Sequence, residues 1–176
     1  MPVEPPPFDP PAIFAALDAH RVEYVVVGGY AAQLHGSGRP TTDIDLTPER
    51  STTNLDRLAH ALRDLQAGIR VDDLEQGLAF DTSAEALAGM KALNLRTPYG
   101  DIDLTFEPDG TGGYPDLIQS AERHTIGTVH VHVATLADLI RSKTAAGRPK
   151  DLRALVELTQ LAQQQPHPGQ GRPDSN

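Results

Sequence analysis

The pentapeptide Asp-Ile-Asp-Leu-Thr occurs twice in this chain, at Asp43–Thr47 and at Asp101–Thr105. Alternation of apolar and acidic residues with a period of two is the pattern of a β-strand with one buried face. Ile44, Leu46, Ile102 and Leu104 then point into a core, and Asp43, Asp45, Asp101 and Asp103 share the opposite direction. Carboxylates two residues apart on one strand face lie roughly 6.5–7 Å from each other. Two such strands brought together concentrate negative charge, which is unfavourable at neutral pH unless a cation joins it. A hard divalent cation, Mg²⁺ or Mn²⁺, takes oxygen ligands and commonly carries substrate phosphates with it. The repeat therefore constrains both the fold and the chemistry. Its flanks do not match, so it is not the trace of an internal duplication.

The 176 residues fit one domain with a sizeable core, and the absence of cysteine excludes disulfides, thiolate metal sites and a cysteine nucleophile. No apolar stretch is long enough for a membrane span, and the start, MPVEPPPFDPP, lacks the pattern of a signal peptide. The expectation is a soluble cytoplasmic protein without a membrane partner. A net charge of −9 argues against bulk electrostatic binding to nucleic acid. Charge is uneven, however: within 141–153, Arg141, Lys143, Arg148, Lys150 and Arg153 face the lone acid Asp151, a local balance of +4 against −13 elsewhere. Such a patch suits either local grip on phosphates or a solvated helix end.

Residues 1–11 read as a Pro-rich lead-in, 12–163 as the folded domain, and 164–176 as a disordered tail. Helical patterns cover Ala12–Ala19, Tyr30–His35, a stretch capped by Ser51 or Thr52 that runs through Leu65, and Ala84–Met90. Tyr114–Arg123, the segment capped by Thr135 and stopped by Gly147, and a last helix from Pro149 to about Gln163 complete the helices. Strand patterns cover Glu23–Val27, Thr42–Thr47, Ile69–Val71, Ala92–Arg96, Ile102–Phe106 and Thr128–Ala134, with a hairpin at Pro98–Gly100. About five strands among helices imply an α+β or α/β domain built on one mixed sheet. His130 and His132 share a strand face, which reads as solvent-exposed rather than metal-binding. Tyr30 and His35 either line a pocket or pack a helix.

In order, the features are a strand, Gly28-Gly29, a helix, Arg39-Pro-Thr41-Thr-Asp43-Ile-Asp45, and a distant Ile102-Asp103-Leu104. This resembles the nucleotidyltransferase (DNA polymerase β-like) superfamily. With Ser142-Lys143 and Gly147-Arg-Pro-Lys-Asp151 it resembles more narrowly the AbiEii/MenT-type nucleotidyltransferases, typically toxins of bacterial toxin–antitoxin pairs. The resemblance spans about residues 13–160. It implies a nucleotidyltransferase-like mixed sheet flanked by helices, and metal-dependent transfer of a nucleoside monophosphate from an NTP to an acceptor hydroxyl. A tRNA 3′ end is the favoured acceptor, a protein side chain the other, and an antitoxin the implied partner.

By the same resemblance, Asp43, Asp45 and Asp103 hold the metal, with Asp101 able to stand in for Asp103. Asp103 acts as, or orients, the base, and Lys143 joins the catalytic set. Gly28, Gly29, Arg39, Thr41, Lys143, Arg148 and Lys150 are the implied nucleotide and phosphate contacts. Asp151 fits equally well as an acid at a helix start. The competing class is a non-catalytic nucleotide- or partner-binding module on the same fold.

Overall fold

The computed structural model describes residues 4–166. The chain runs α1 (Pro10–Ala19), β1 (Tyr24–Val27), α2 (Gly28–Leu34), β2 (Asp43–Pro48), α3 (Thr52–Asp64), β3 (Gly68–Ile69) and α4 (Ala84–Ala88). It continues through β4 (Ala92–Thr97), β5 (Gly100–Thr105), α5 (Tyr114–Leu117), β6 (Glu122–Ile126), β7 (Val129–Val133), α6 (Leu136–Ala146) and α7 (Pro149–Gln164). All seven strands form one sheet in the order β3-β4-β5-β2-β1-β7-β6. β1 pairs antiparallel with β2 and parallel with β7, and β2 pairs parallel with β5. The sheet is thus mixed, and helices flank it.

Local chemistry sets most element ends. Asp9 accepts a hydrogen bond from the Ala12 N–H at 3.1 Å and prolines occupy the first turn of α1, where an N–H would have no intrahelical partner. Ser51 and Thr135 cap α3 and α6 in the same way. Gly147 ends α6 at φ 64°, a conformation that costs a residue without Cβ nothing. Asn54, buried at the start of α3, accepts from Glu23 N–H at 2.7 Å and donates to the Glu23 and Glu49 carbonyls at 2.9 and 2.8 Å. One amide thereby fixes the entry to β1 relative to the exit from β2.

The core forms where the alternation predicts. Ile44, Leu46, Ile102 and Leu104 are essentially inaccessible, as are Val25 and Val26 of the all-apolar central strand β1. Ile13, Phe14 and Leu17 form the buried stripe of α1.

Three sequence expectations change. Among the described residues seven strands form rather than about five. The helix expected over Tyr114–Arg123 ends at Leu117, and Glu122–Ile126 is strand β6, turning through Gly127 (φ 61°) to pair antiparallel with β7. Tertiary pairing with a strong β-branched partner, Val129–Val133, overrides the helical composition there. The short strand expected at Ile69–Val71 is instead Gly68–Ile69. His130 and His132 lie on the exposed face of β7, as expected. The tail expected from 164 onward lies outside the described residues beyond 166, while Gln164 itself closes α7.

Candidate active site

The parallel ladder between β2 and β5 sets Asp43 opposite Asp101 and Asp45 opposite Asp103, in register. The two copies of the pentapeptide thus lie side by side at the centre of the sheet, with four carboxylates on one face. Parallel partners in register project in the same direction, so the acids meet as the apolar residues of the repeat meet beneath them.

The four acids have different partners. Arg96 binds Asp101 (Nε–Oδ1 3.1 Å), and Arg70 reaches both Asp101 (Nη1–Oδ2 3.3 Å) and Asp103 (Nη2–Oδ1 3.1 Å). Asp101 is therefore neutralised by two guanidinium groups and held for structure. Asp103 is paired, among the described residues, with Arg70 alone, which donates to its Oδ2 at 3.5 Å, while its buried Oδ1 accepts no aligned hydrogen bond. Burial raises the Asp103 pKa, Arg70 opposes that, and Asp43 adds to it. Among the described residues Asp45 has no cationic partner in contact. Burial first, then the charges of Asp43 and Asp103, push its pKa up to about 7, against the pull of Lys143 and the Gly29 backbone N–H. Asp43 is oriented by the Thr41 hydroxyl, which donates to its Oδ1 at 2.7 Å.

Gly28 shows why a glycine stands here. Its φ is +67°, and a Cβ at this position would sit 2.2 Å from Asp45 Oδ2. The β1–α2 turn thus passes against the carboxylate with no room for a side chain. Gly29 packs against Thr41, whose Oγ1 lies 3.4 Å from where a Cβ would be.

Beside these residues lies a cleft whose lining includes Gly28, Asp45, Lys143, Arg148 and Asp151, with Glu107 and Asp109 on the β5–α5 loop, but not Asp43 or Asp103. Asp151 is fully buried and receives Lys143 Nζ at 3.0 Å on one oxygen and Arg148 Nε at 2.6 Å on the other. Its carboxyl is held at about 2: these two partners more than offset the cost of burying it. It also accepts from the Arg148 N–H at the start of α7 at 3.3 Å, so it is both the helix-start acid and the anchor of Lys143. The remaining expected phosphate contacts lie elsewhere. Arg39 pairs with Glu157 of α7 at 3.1 Å and donates to the Arg153 carbonyl at 3.0 Å, and Lys150 is exposed outside the cleft lining. Arg141, the first cation of the basic segment, is taken by Asp116 and Asp138, each at 2.9 Å. Of that segment, only Lys143 and Arg148 face the cleft with a positive charge.

Arg70 and Arg96 were not among the residues expected at the site. Arg96 was within reach of sequence reasoning, because a hairpin turning at Pro98-Tyr99 sets residue 96 opposite 101. Arg70 precedes its acids by some thirty residues, and only the fold brings them together.

The donor set fits a hard divalent cation. All three of Asp43, Asp45 and Asp103 offer carboxylate oxygen, one buried oxygen lacks a hydrogen bond, and burial, with the charges of Asp43 and Asp103, disfavours the ionised form of Asp45. Their oxygens are not gathered within 4.8 Å of one another, as those of a different trio are. Ligands from a substrate would complete the coordination between them.

The comparisons agree with this geometry. The family described as nucleotidyl transferase AbiEii toxin, Type IV TA system, matches residues 12–163. Among solved structures, a Thermotoga maritima protein assigned to the nucleotidyltransferases (TM1012) is similar, with TM-score 0.53 and 14% identity over 85% of this chain and 89% of that one. The lincosamide antibiotic adenylyltransferase LnuA, solved with lincomycin, gives 0.56 and 16% over 88% and 99%. At such identities these two likenesses show the shared fold. A search of curated proteins finds no match. With its matched span covering almost all the described residues, this chain belongs to the AbiEii nucleotidyl transferase toxin family and is a nucleotidyltransferase.

Proposed function

We propose that this protein transfers a nucleoside monophosphate from an NTP to an acceptor hydroxyl, using Mg²⁺ or Mn²⁺ held by Asp43, Asp45 and Asp103. The in-register pairing of the two Asp-x-Asp strands carries this reading. Three carboxylates without full cationic compensation weaken a fold unless they are used, and family membership supplies the use. When bound, the cation supplies Lewis-acid stabilisation of the phosphate oxygens.

The chain's own residues do the rest. The acceptor hydroxyl oxygen attacks the α-phosphorus in line, the bond to pyrophosphate breaks, and the proton passes to the carboxylate of Asp103. Burial and Asp43 suit Asp103 to take that proton by raising its pKa, while Arg70 keeps it from being protonated beforehand. Lys143 and Arg148, both in the cleft lining, neutralise the departing pyrophosphate. The absence of a side chain at Gly28 lets the nucleotide phosphates approach the backbone beside Asp45. No covalent protein intermediate is required.

The cleft holds about 240 Å³. That is below the roughly 300–1,000 Å³ of pockets that enclose a whole small molecule, and it suits the phosphate end of an NTP with base and acceptor on the open side. In line with the family's description as a Type IV TA toxin, we assign a toxin role with an antitoxin as partner; a tRNA 3′ end is our favoured acceptor, from the sequence resemblance. The test is incubation with Mg²⁺, each α-³²P-labelled NTP in turn, and total tRNA. Mg²⁺-dependent labelling of RNA, abolished by Asp103→Asn, is expected. Label on protein would reassign the acceptor, and no transfer to RNA or protein with any NTP would overturn the reading.

A further inference from the structure

On the far side of the sheet order from β3, a second cluster lies outside the acid site. His35 caps the C-terminus of α2, while Glu122 and His124 sit two residues apart on one face of the edge strand β6. One donor atom from each lies within 4.8 Å of the other two. His35 Nδ1 is 3.8 Å and His124 Nε2 3.5 Å from the same Glu122 oxygen, Oε2.

These separations are too long for hydrogen bonds, which fall at about 2.7–3.2 Å. They approach the spacing of ligands around a tetrahedral ion: bonds of about 2.0–2.1 Å place neighbouring donors about 3.3–3.4 Å apart. The His35 tautomer is also set for metal binding. Its Nε2 lies 2.8 Å from the Ala134 carbonyl oxygen, which can only accept, so Nε2 carries the hydrogen and Nδ1 presents a lone pair. A backbone carbonyl holding the far nitrogen of a ligating histidine is the usual outer support of a metal site. The His35 side chain is only 2% exposed, and its Nδ1 has no hydrogen-bond partner other than the site itself provides. An ordinary buried histidine satisfies both nitrogens.

We propose that His35, Glu122 and His124 bind a Zn²⁺ ion, with a water in the fourth position on the side of the partly exposed Glu122. Two imidazoles and one carboxylate suit zinc, whereas Mg²⁺ prefers an all-oxygen shell. The ion clips the edge strand β6, which the sheet holds only through β7, onto α2. The other end of α2 is the Gly28 turn beside Asp45, so the clip steadies the element that shapes the active site.

The test is calorimetric titration of EDTA-stripped, dialysed full-length protein with ZnCl₂ in excess Mg²⁺, repeated with CoCl₂ to record visible absorption. Wild type and an Asp43→Asn/Asp103→Asn variant should each bind one equivalent, with the intense bands of tetrahedral Co²⁺. Glu122→Gln/His124→Ala should bind at least about 10–100-fold more weakly, the loss seen even for outer-shell partners, and lose those bands. Circular dichroism in EDTA checks that this variant folds, and His124→Gln alone replaces it if it does not. Absence of zinc binding to wild type, unchanged binding in the β6 variants, or loss only in the aspartate variant would overturn the proposal.

Discussion

Asp45→Asn should make the metal-free protein more stable, and by an amount that depends on pH. An unfolded Asp45 loses its proton near 3.8, whereas in the fold it holds the proton until about 7. Below both values the residue is neutral in folded and unfolded chains and costs nothing. Between them the unfolded state is favoured progressively, and above about 7 the full cost is present. The free protein therefore loses stability as pH rises through this window. At about 1.4 kcal/mol per pH unit the burden reaches about 4 kcal/mol, and about 2–4 kcal/mol after allowance for the partial exposure of Asp45. Asparagine has the shape of the protonated acid, keeps an acceptor for the Gly29 N–H, and removes the repulsion with Asp43 and Asp103. Urea unfolding of both proteins in EDTA, at about pH 4 and about pH 8, reads the difference directly. The variant should gain its 2–4 kcal/mol only at the higher pH, and added Mg²⁺ should narrow the gap by stabilising wild type. A variant less stable than wild type at the higher pH, or a difference indifferent to pH, would refute the idea that these acids are clustered against their own electrostatics.

Three further outcomes follow from the same geometry. Gly28→Ala places a Cβ where Asp45 Oδ2 lies and strains a positive φ; nucleotidyl transfer should fall by at least about tenfold while circular dichroism still shows a folded chain. Arg70→Gln removes the charge that lowers the Asp103 pKa, so the acid limb of kcat/KM against pH should move to higher pH. Asp151→Asn breaks a buried carboxylate's bonds to Lys143 and Arg148 and should cost roughly 2–4 kcal/mol in denaturant unfolding near neutral pH. Because that carboxyl sits at about 2 when folded against 3.8 ordinarily, its contribution is complete above about 4 and is lost as pH falls toward 2, so variant and wild type should converge there.

The site's acids were legible because chemistry and periodicity coincided. Asp-Ile-Asp-Leu-Thr can bury its Ile and Leu only by turning its acids together to the other face, and that dictates strand, face and charge cluster without any knowledge of the fold. Gly28, Ser51, Thr135 and Gly147 marked element ends for equally local reasons, a backbone conformation or a cap. The segment Glu122–Ile126 misled because its composition carries no strong strand preference; its pairing with Val129–Val133 decides it.

What tertiary structure alone decided is the fate of the charges. The sequence shows five cations in 141–153 but not that Arg141 is spent on Asp116 and Asp138, or that Asp151 is buried between Lys143 and Arg148. Nor does it show Arg70 and Arg96 converging on Asp101, which leaves Asp103 with Arg70 as its one cationic partner among the described residues. It set His35 apart near the Gly-Gly turn but could not join it to Glu122 and His124, some ninety residues away. Periodicity fixes which way a side chain points within its own element, because that depends on backbone geometry over a few residues. Which opposite charge it meets depends on strand order and register, and those are settled by the burial of the whole sheet.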